Sequence, residues 1–321
     1  MDNQWQISTP EEENMKSDSL NNIDDYLKQK QYRLVNSILV IRNGKIVFEQ
    51  YYNQFNKNSK NNIKSIWKSI VSIIIGICVD RGIIKNLDEP ICNYLEEFSY
   101  NKHIYHRVIT IRHLLTMTSG IHWNSGIHYS SPMMTQMMRS NNWVDFLSDI
   151  DVSNCPGNKF VYKEWDAILL SAIIGRVTGK TSYEICNEFL YRPLNIKSKI
   201  WPYSPDNVSY IVMEGESNSD LSARDLGKIG LVLLNNGVFK GKRIVSEEYI
   251  RQATLSSLKN SEYGYLLWLS NHGYSCRGFG GQEVNVYPQY KTVVVIQATP
   301  TPSSKSYYDI SKEIILAMKD F

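Results

Sequence analysis

The stretch that decides the fold lies at residues 65–79 and reads Ser-Ile-Trp-Lys-Ser-Ile-Val-Ser-Ile-Ile-Ile-Gly-Ile-Cys-Val. Apolar residues occupy all sides of a helix drawn through it, and such a helix belongs in the interior of a domain. Arg81-Gly82 follows and is typical of a helix C-terminus. The apolar run is too short to cross a bilayer, and Ser72 and Gly76 interrupt it. The stretch therefore predicts a central, buried helix.

Ser65 and Lys68 stand three positions apart at the start of this helix. Residues at that spacing share a helix face, so the Lys68 amine can reach the Ser65 hydroxyl. Burial disfavours a charged amine and makes a neutral, basic lysine accessible, while a helix N-terminus offers N–H groups to a developing oxyanion. The pattern is typical of a serine nucleophile activated by lysine. Because it also recurs by chance, the structural alternative makes Ser65 a helix cap and Lys68 a side chain that extends to the surface.

Strand patterns flank this helix at both ends of the chain. Asn43-Gly44 separates two apolar runs, which is a strong hairpin signal because both positions tolerate a positive φ. The predicted strands are 37–42, 45–51, 263–269, 283–287 and 292–296, and the predicted helices are 21–29, 111–117, 143–148, 165–178, 183–189, 223–234 and 309–319. These patterns predict a mixed α/β fold, in which helices flank an antiparallel sheet built from both termini and a helical lobe is inserted. We expect a polar arm at 1–20 and one domain at 21–321, with its sheet at about 35–55 and 262–298 and its lobe at about 84–235.

The overall composition argues against several classes of protein. The chain has 321 residues, of which 42% are hydrophobic and 21% charged, as in ordinary globular proteins. A net charge of +3, without a basic run among aromatics, predicts neither a nucleic acid nor a membrane as partner. The first residues lack a secretory signal, so we expect a cytoplasmic protein. The five scattered cysteines lack metal-site spacing, which predicts no zinc site and no disulfide framework.

Six motifs occur in an order that is far more specific than any one of them. They are Ser-Ile-Trp-Lys-Ser at 65–69, Leu-Asp-Glu-Pro at 87–90, Ile-Arg-His-Leu-Leu-Thr-Met-Thr-Ser-Gly at 111–120, Pro-Gly-Asn-Lys-Phe-Val-Tyr at 156–162, Ile-Ile-Gly-Arg-Val-Thr-Gly at 173–179 and Gly-Phe-Gly-Gly-Gln at 278–282. In these motifs the chain resembles the penicillin-recognising serine hydrolases, namely class C β-lactamases and their esterase and 6-aminohexanoate-oligomer hydrolase relatives. The resemblance runs from about Trp5 to the C-terminus. It implies a β-lactamase/transpeptidase-like fold, a small amide or ester as substrate, and no metal or organic cofactor.

The resemblance also implies roles for individual residues. Ser65 matches the family nucleophile and Lys68 its lysine. Tyr162 matches the tyrosine that relays a proton between the nucleophile and the leaving group. The expected oxyanion donors are the backbone N–H groups of Ser65 and Cys276, because a backbone donor does not depend on side-chain identity.

Two motifs depart from the family pattern. Gly273-Tyr274-Ser275 stands where the family usually has Lys-Thr-Gly or His-x-Gly, and no cation occupies the lysine position, although His272 and Arg277 are near. Glu164 stands where β-lactamases have an asparagine that holds a substrate amide. Both departures favour a carboxylesterase or amidase over a β-lactamase or D,D-peptidase. The alternative from another class is a catalytically inactive binding module on the same fold.

Further residues are predicted to contact the substrate. They are Glu164, Asp166, Trp123, Tyr274 and Arg277. Asp166 either fixes the helix that follows it or binds a substrate amine. Trp123 belongs to a segment at 121–140 that contains one tyrosine and several methionines, which either form an adaptable pocket wall or pack in the core. These are Tyr129, Met133, Met134, Met137 and Met138.

Overall fold

The computed structural model describes residues 5–100, 103–123, 132–211, 220–301 and 306–318. Its strands are β1 Gln6–Ile7, β2 Val35–Arg42, β3 Lys45–Tyr51, β4 Lys60–Asn62, β5 Asp220–Ser222, β6 Val238–Phe239, β7 Lys242–Arg243, β8 Trp268–Ser270, β9 Gly273–Gly278, β10 Gln282–Tyr287 and β11 Thr292–Ala298. Its α-helices are α1 Ser17–Asn21, α2 Ile23–Gln29, α3 Ile66–Asp80, α4 Glu97–Tyr100, α5 Ile111–Leu115, α6 Pro132–Arg139, α7 Trp143–Ser148, α8 Trp165–Thr178, α9 Ser182–Cys186, α10 Ala223–Leu234, α11 Glu247–Ala253 and α12 Tyr308–Leu316. Shorter 3₁₀ or π turns occupy Ile91–Asn93, Ile104–Val108, Asn187–Tyr191 and Pro288–Tyr290.

The chain divides into two compact units. The first unit comprises residues 1–66, 220–242 and 270–321. The second comprises residues 67–219 and 243–269. Both ends of the chain therefore belong to the first unit, which also contains α10.

The first unit contains six strands of a sheet, in the order β1-β3-β2-β11-β10-β9. Asn43 and Gly44 form the turn between β2 and β3 with φ angles of 50° and 80°, as the hairpin signal predicts. β2 then pairs with β11, which joins the N-terminal strands to the C-terminal ones. The prediction of an antiparallel sheet is wrong at one edge, where β1 pairs with β3 in parallel. The sheet is therefore mixed, because a strand from the N-terminal arm runs alongside the hairpin.

Helices cover both faces of this sheet within the first unit. On one face lies a core in which Ile38 and Val294 of the sheet pack with Ile310 and Ile314 of α12. On the other face α10 approaches so closely that a Cβ added at Gly230 would lie 2.5 Å from a methyl carbon of Val293. Adjacent residues of a strand point to opposite faces. The apolar runs of β2 and β11 therefore contribute to two cores.

The second unit is mostly helical and has α3 in its interior. Side chains from Trp67 to Cys78 are all at most 2% exposed, as the continuous apolar pattern predicts. A Cβ at Gly76 would lie 2.5 Å from the Tyr249 ring of α11, so a glycine permits this close approach. Among the described residues, no helix combines the length and apolar character that crossing a membrane requires.

The segment at 263–269 does not form the strand that the sequence predicts. Only Trp268–Ser270 is extended, and Leu266 has a φ of 55°. Non-local bonds hold this conformation: the Leu266 N–H donates to the Leu115 carbonyl, and the Ser69 hydroxyl donates to the Leu266 carbonyl over 2.7 Å. Contacts from distant parts of the second unit therefore override the local strand preference.

Candidate active site

Ser65 is the last residue before α3 and is 5% exposed. The preceding residue, Lys64, has a φ of 48°, in the left-handed region. Its N–H donates to the Asn62 side-chain oxygen over 2.9 Å, which helps to hold that conformation. Such a backbone costs on the order of 1 kcal/mol for a residue other than glycine, and residues of this kind cluster at functional sites. The chain therefore enters α3 through a constrained turn that fixes the Ser65 backbone.

The end of β9 lies against the segment before Ser65, within the first unit. A Cβ at Gly278 would lie 2.4 Å from the Ile63 carbonyl oxygen, so the approach requires a glycine. Cys276 lies two residues earlier on this strand, is buried, and pairs with Val284 of β10. Its use as a backbone oxyanion donor stays a prediction.

Two other side chains of β9 are engaged within the first unit. The Tyr274 hydroxyl donates to the carbonyl of Leu233, at the end of α10, over 2.9 Å. The Arg277 Nε donates to the Ser275 hydroxyl over 2.8 Å, and its guanidinium lies 4.8 Å from the ring centroid of Tyr308 in α12. Tyr274 and Arg277 therefore point to opposite faces of the sheet. The prediction that either contacts the substrate stays a prediction.

A buried ion pair forms around Lys68 in the second unit. The Lys68 Nζ lies 2.8 Å from one oxygen of Glu164 and 2.7 Å from the other. The Tyr210 hydroxyl donates to the second oxygen over 2.8 Å. Lys68 is 1% exposed and Glu164 is 3% exposed. The sequence predicted a lysine buried among apolar groups, whereas the structure also gives it a counter-charge.

Tyr162 lies beside this ion pair. The Lys68 Nζ is 5.1 Å from the Tyr162 ring centroid, a cation–π distance. The half-buried Tyr162 ring lies 5.6 Å from Trp268 and 6.3 Å from Tyr263, measured between centroids. Sequence reasoning missed both of these aromatic neighbours, because it assigned their segment to a strand. The second unit thus brings together the lysine, the tyrosine and an aromatic wall.

A second buried lysine–carboxylate pair lies next to the first along the chain. The Lys163 Nζ donates to the Ser119 hydroxyl over 3.0 Å and to the Ile121 carbonyl over 3.1 Å. Ser119 in turn donates to an oxygen of Asp166 over 2.6 Å, while the Lys163 Nζ stands 3.9 Å from that oxygen. The cluster ties the start of α8 to the Thr-Ser-Gly turn at 118–120. This geometry agrees with the interpretation of Asp166 as a residue that fixes its helix.

Burial dominates the titration of this second pair. Burial raises the pKa of Asp166 to about 6, although the Lys163 charge and the hydrogen bonds from Ser119 act in the opposite direction. Burial lowers the pKa of Lys163, and Asp166 opposes that effect. The Oδ2 of Asp166 has no hydrogen-bond partner among the described residues. The groups around this pair therefore stabilise a charged Lys163 and a charged Asp166 poorly.

The remaining predicted wall of the site is described only in part. Trp123 is half-buried, and its ring meets Trp165 edge-on at 4.7 Å between centroids. Met134 and Met137 are fully buried in α6, which favours core packing over an adaptable wall for these two. Residues 124–131, including Tyr129, lie outside the described residues. The contact of Trp123 with a substrate stays a prediction.

The described part of the chain contains no group of three or more His, Cys, Asp or Glu side chains that could hold a metal ion. In the second unit, the functional groups around Lys68 are the Glu164 carboxylate, the Tyr210 hydroxyl and the Tyr162 phenol. The Ser65 hydroxyl belongs to the first unit. A serine hydroxyl can attack a carbonyl carbon, and lysine and tyrosine side chains can transfer protons.

A family model described as Beta-lactamase matches residues 21–317. The chain therefore belongs to the Beta-lactamase family of serine hydrolases, and the family resemblance predicted from the six motifs is confirmed. The 6-aminohexanoate-dimer hydrolase of Paenarthrobacter ureafaciens is 22% identical over 340 residues, which cover 96% of this chain and 84% of that protein.

Two solved structures show the same fold. A putative beta-lactamase from Bacteroides dorei DSM 17855 has a TM-score of 0.77 at 17% identity and covers 95% of this chain and 99% of its own. A family VIII carboxylesterase has a TM-score of 0.71 at 14% identity and covers 98% of both chains. The β-lactamase/transpeptidase-like fold, with helices flanking the sheet, is thus confirmed.

Proposed function

We propose that the protein hydrolyses an amide or ester bond of a small molecule through an acyl-enzyme on Ser65, as a carboxylesterase or amidase. The observation that carries this proposal is the buried Lys68 Nζ, which contacts a carboxylate and lies 5.1 Å from the Tyr162 ring centroid. Ser65, Lys68 and Tyr162 also occupy the motif positions of the family. The 6-aminohexanoate-dimer hydrolase and the carboxylesterase among its relatives support amides and esters as substrates.

The proposed reaction has two halves. In the first, the Ser65 oxygen bonds to the carbonyl carbon, its proton passes through Tyr162 to the leaving amine or alcohol, and the bond to that group breaks. In the second, the oxygen of a water molecule bonds to the acyl carbon, the bond between that carbon and the Ser65 oxygen breaks, and a proton of the water passes to the Ser65 oxygen as the carboxylic acid is released. The N–H groups of Ser65 and Cys276 would hold the carbonyl oxygen while it carries negative charge. Lys68 lies beside Tyr162 and would take part in both proton transfers.

Two rivals are less well supported. A β-lactamase or D,D-peptidase needs a cation for the substrate carboxylate, and the Arg277 guanidinium lies over the Tyr308 ring. An inactive binding module would not require Ser65, Lys68 and Tyr162 together, so the presence of all three argues against it. The cytoplasmic location stays a prediction.

Covalent labelling tests the nucleophile. A fluorophosphonate should modify one peptide, the one that contains Ser65, because only an activated serine attacks the probe. Mass spectrometry of the digested protein locates the adduct, and Ser65→Ala is the control. Labelling that persists undiminished in Ser65→Ala would exclude Ser65 as the nucleophile.

The substrate class is tested by comparing p-nitrophenyl butyrate with nitrocefin. Nitrocefin carries a carboxylate, and a missing charge-assisted hydrogen bond to it costs about 1.5–3 kcal/mol, or roughly 10- to 150-fold. We therefore expect kcat/KM to be higher for the ester by at least about tenfold. The rate of Ser65→Ala is subtracted as background. An equal or higher value for nitrocefin would favour the β-lactamase alternative and leave the nucleophile unaffected.

A further inference from the structure

We infer that Glu164 is a positioning residue of the hydrolase, which holds the Lys68 ammonium beside Tyr162 and is itself held by Tyr210. This inference rests on the proposed function. Family resemblance gave the Glu164 position a different task, because the corresponding asparagine of β-lactamases contacts the substrate. The contacts of the Glu164 carboxylate distinguish a role in positioning Lys68 from a role in binding the substrate.

Both oxygens of Glu164 are engaged by the protein. Each lies within 2.8 Å of the Lys68 Nζ, and Oε2 also accepts the hydrogen bond from Tyr210. With 3% of the residue exposed, the carboxylate presents almost no surface to a substrate. The Glu164 carboxylate therefore interacts with Lys68 rather than with a substrate.

The Glu164 carboxylate provides the negative charge that balances the buried Lys68 ammonium. An ammonium that is 1% exposed has lost almost all contact with water, so it needs a counter-charge and hydrogen-bond acceptors nearby. Glu164 supplies both. Removal of the carboxylate charge would leave Lys68 either uncompensated or displaced from its place beside Tyr162. Such a change alters proton transfer without touching the substrate.

The position of Tyr210 is fixed from two sides. Its ring meets Trp67 edge-on at 5.4 Å between centroids, and Trp67 directly precedes Lys68 in α3. On another side it meets Trp143, the first residue of α7, at 6.3 Å. Aromatic pairs at these distances are attractive and directional. Tyr210 therefore packs against two helices, and this packing fixes the hydroxyl that donates to the Glu164 carboxylate.

Steady-state kinetics of Glu164→Gln and Glu164→Asp test the inference. Glu164→Gln keeps the shape and removes the charge, so kcat should fall by about 100-fold, the lower range for a lost acid–base group. KM should stay within about threefold, because no ground-state contact with substrate is lost. Glu164→Asp restores the charge and should recover part of kcat. The folded fraction, measured by circular dichroism, normalises every rate.

Glu49→Gln is the matched control. Glu49 also joins a cation and a phenol, since it accepts hydrogen bonds from Arg224 over 2.7 Å and from Tyr51. It lies on β3 and has no part in the proposed reaction. We expect Glu49→Gln to leave kcat per folded molecule within about twofold of wild type, because the substitution lies outside the proposed reaction.

Tyr210→Phe keeps the inference testable if Glu164→Gln does not fold. It preserves the ion pair, removes one hydrogen bond, and should lower kcat by about tenfold. If Tyr210 acts through Glu164, then Tyr210→Phe should have little further effect in the Glu164→Gln background. A raised KM with unchanged kcat in Glu164→Gln would overturn the inference in favour of substrate binding, and additive effects would overturn the role of Tyr210. Wild-type activity that survives Ser65→Ala would instead refute the proposed function.

Discussion

The second unit contains two buried lysine–carboxylate pairs, to which the adjacent residues Lys163 and Glu164 each contribute one member, and the two pairs differ in their contacts. Lys68 and Glu164 have contacts of 2.7 and 2.8 Å and a third partner in Tyr210. Lys163 and Asp166 stand 3.9 Å apart, with Ser119 between them. Each pair joins a lysine to a carboxylate, and all four residues are buried.

The difference shows what each pair can do. A carboxylate that contacts an ammonium through both oxygens compensates the buried charge well. A carboxylate with one unpartnered oxygen and a distant ammonium does not, and burial accordingly raises the pKa of Asp166. Neighbouring residues of one loop therefore serve two purposes. One pair keeps a charge in place for the proposed chemistry, and the other ties the loop to the turn at 118–120.

The largest expected effect separates the two lysines. Lys68→Met should lower kcat by roughly 100- to 10,000-fold, because an acid–base group is lost from the proposed reaction. Lys163→Met should lower the free energy of unfolding by about 3–5 kcal/mol, as for one partner removed from a buried pair. The kcat of Lys163→Met per folded molecule should remain close to wild type. Methionine keeps the apolar length of lysine in both variants.

Rates per folded molecule and urea denaturation check this prediction on the same two samples. Circular dichroism confirms that each variant is folded before the rates are compared. A Lys68→Met enzyme within about threefold of wild type would remove lysine from the mechanism. An equal loss of kcat in both variants would abolish the functional distinction between the pairs.

The sequence predicted those parts of the molecule that local patterns determine. The α8 helix begins and ends where its periodicity indicates, at Trp165 and Thr178, and α3 is as buried as its apolar run requires. The strand predicted at 263–269 is wrong, because a hydrogen bond to Leu115 stabilises a positive φ at Leu266. No pattern within seven residues can reveal a partner 150 positions away.

The candidate site likewise contains residues that the sequence predicted and residues that it missed. Motif spacing located Ser65 and Lys68, and the family resemblance located Tyr162. Tyr210 was missed because it lies 46 residues from Glu164 and belongs to no motif. Glu164 itself was singled out, but as a substrate contact. Its pairing with Lys68 depends on how the loop folds back onto α3, which spacing along the chain does not encode.

A smaller effect is expected from Asp166, and it appears only as a function of pH. The pKa of Asp166 is about 6 in the folded protein and 3.8 ordinarily, so the folded state binds this proton more tightly. The resulting contribution to stability is present in full below pH 3.8 and is lost as the pH rises through about 6. A difference of roughly 2 in pKa corresponds to about 3 kcal/mol. Asp166→Asn carries no ionisable group and should lack this loss.

Urea denaturation of wild type and Asp166→Asn from pH 4 to pH 7.5 measures the difference directly. Burial lowers the pKa values of His106 and His113, so both histidines also change stability with pH. They do so in both proteins, and subtraction of the two curves therefore cancels their effect. The free energy of unfolding of wild type should fall relative to the variant by about 3 kcal/mol between the two ends. A flat difference curve would mean that Asp166 does not titrate between pH 4 and pH 7.5, and the contrast between the two pairs would then be one of position alone.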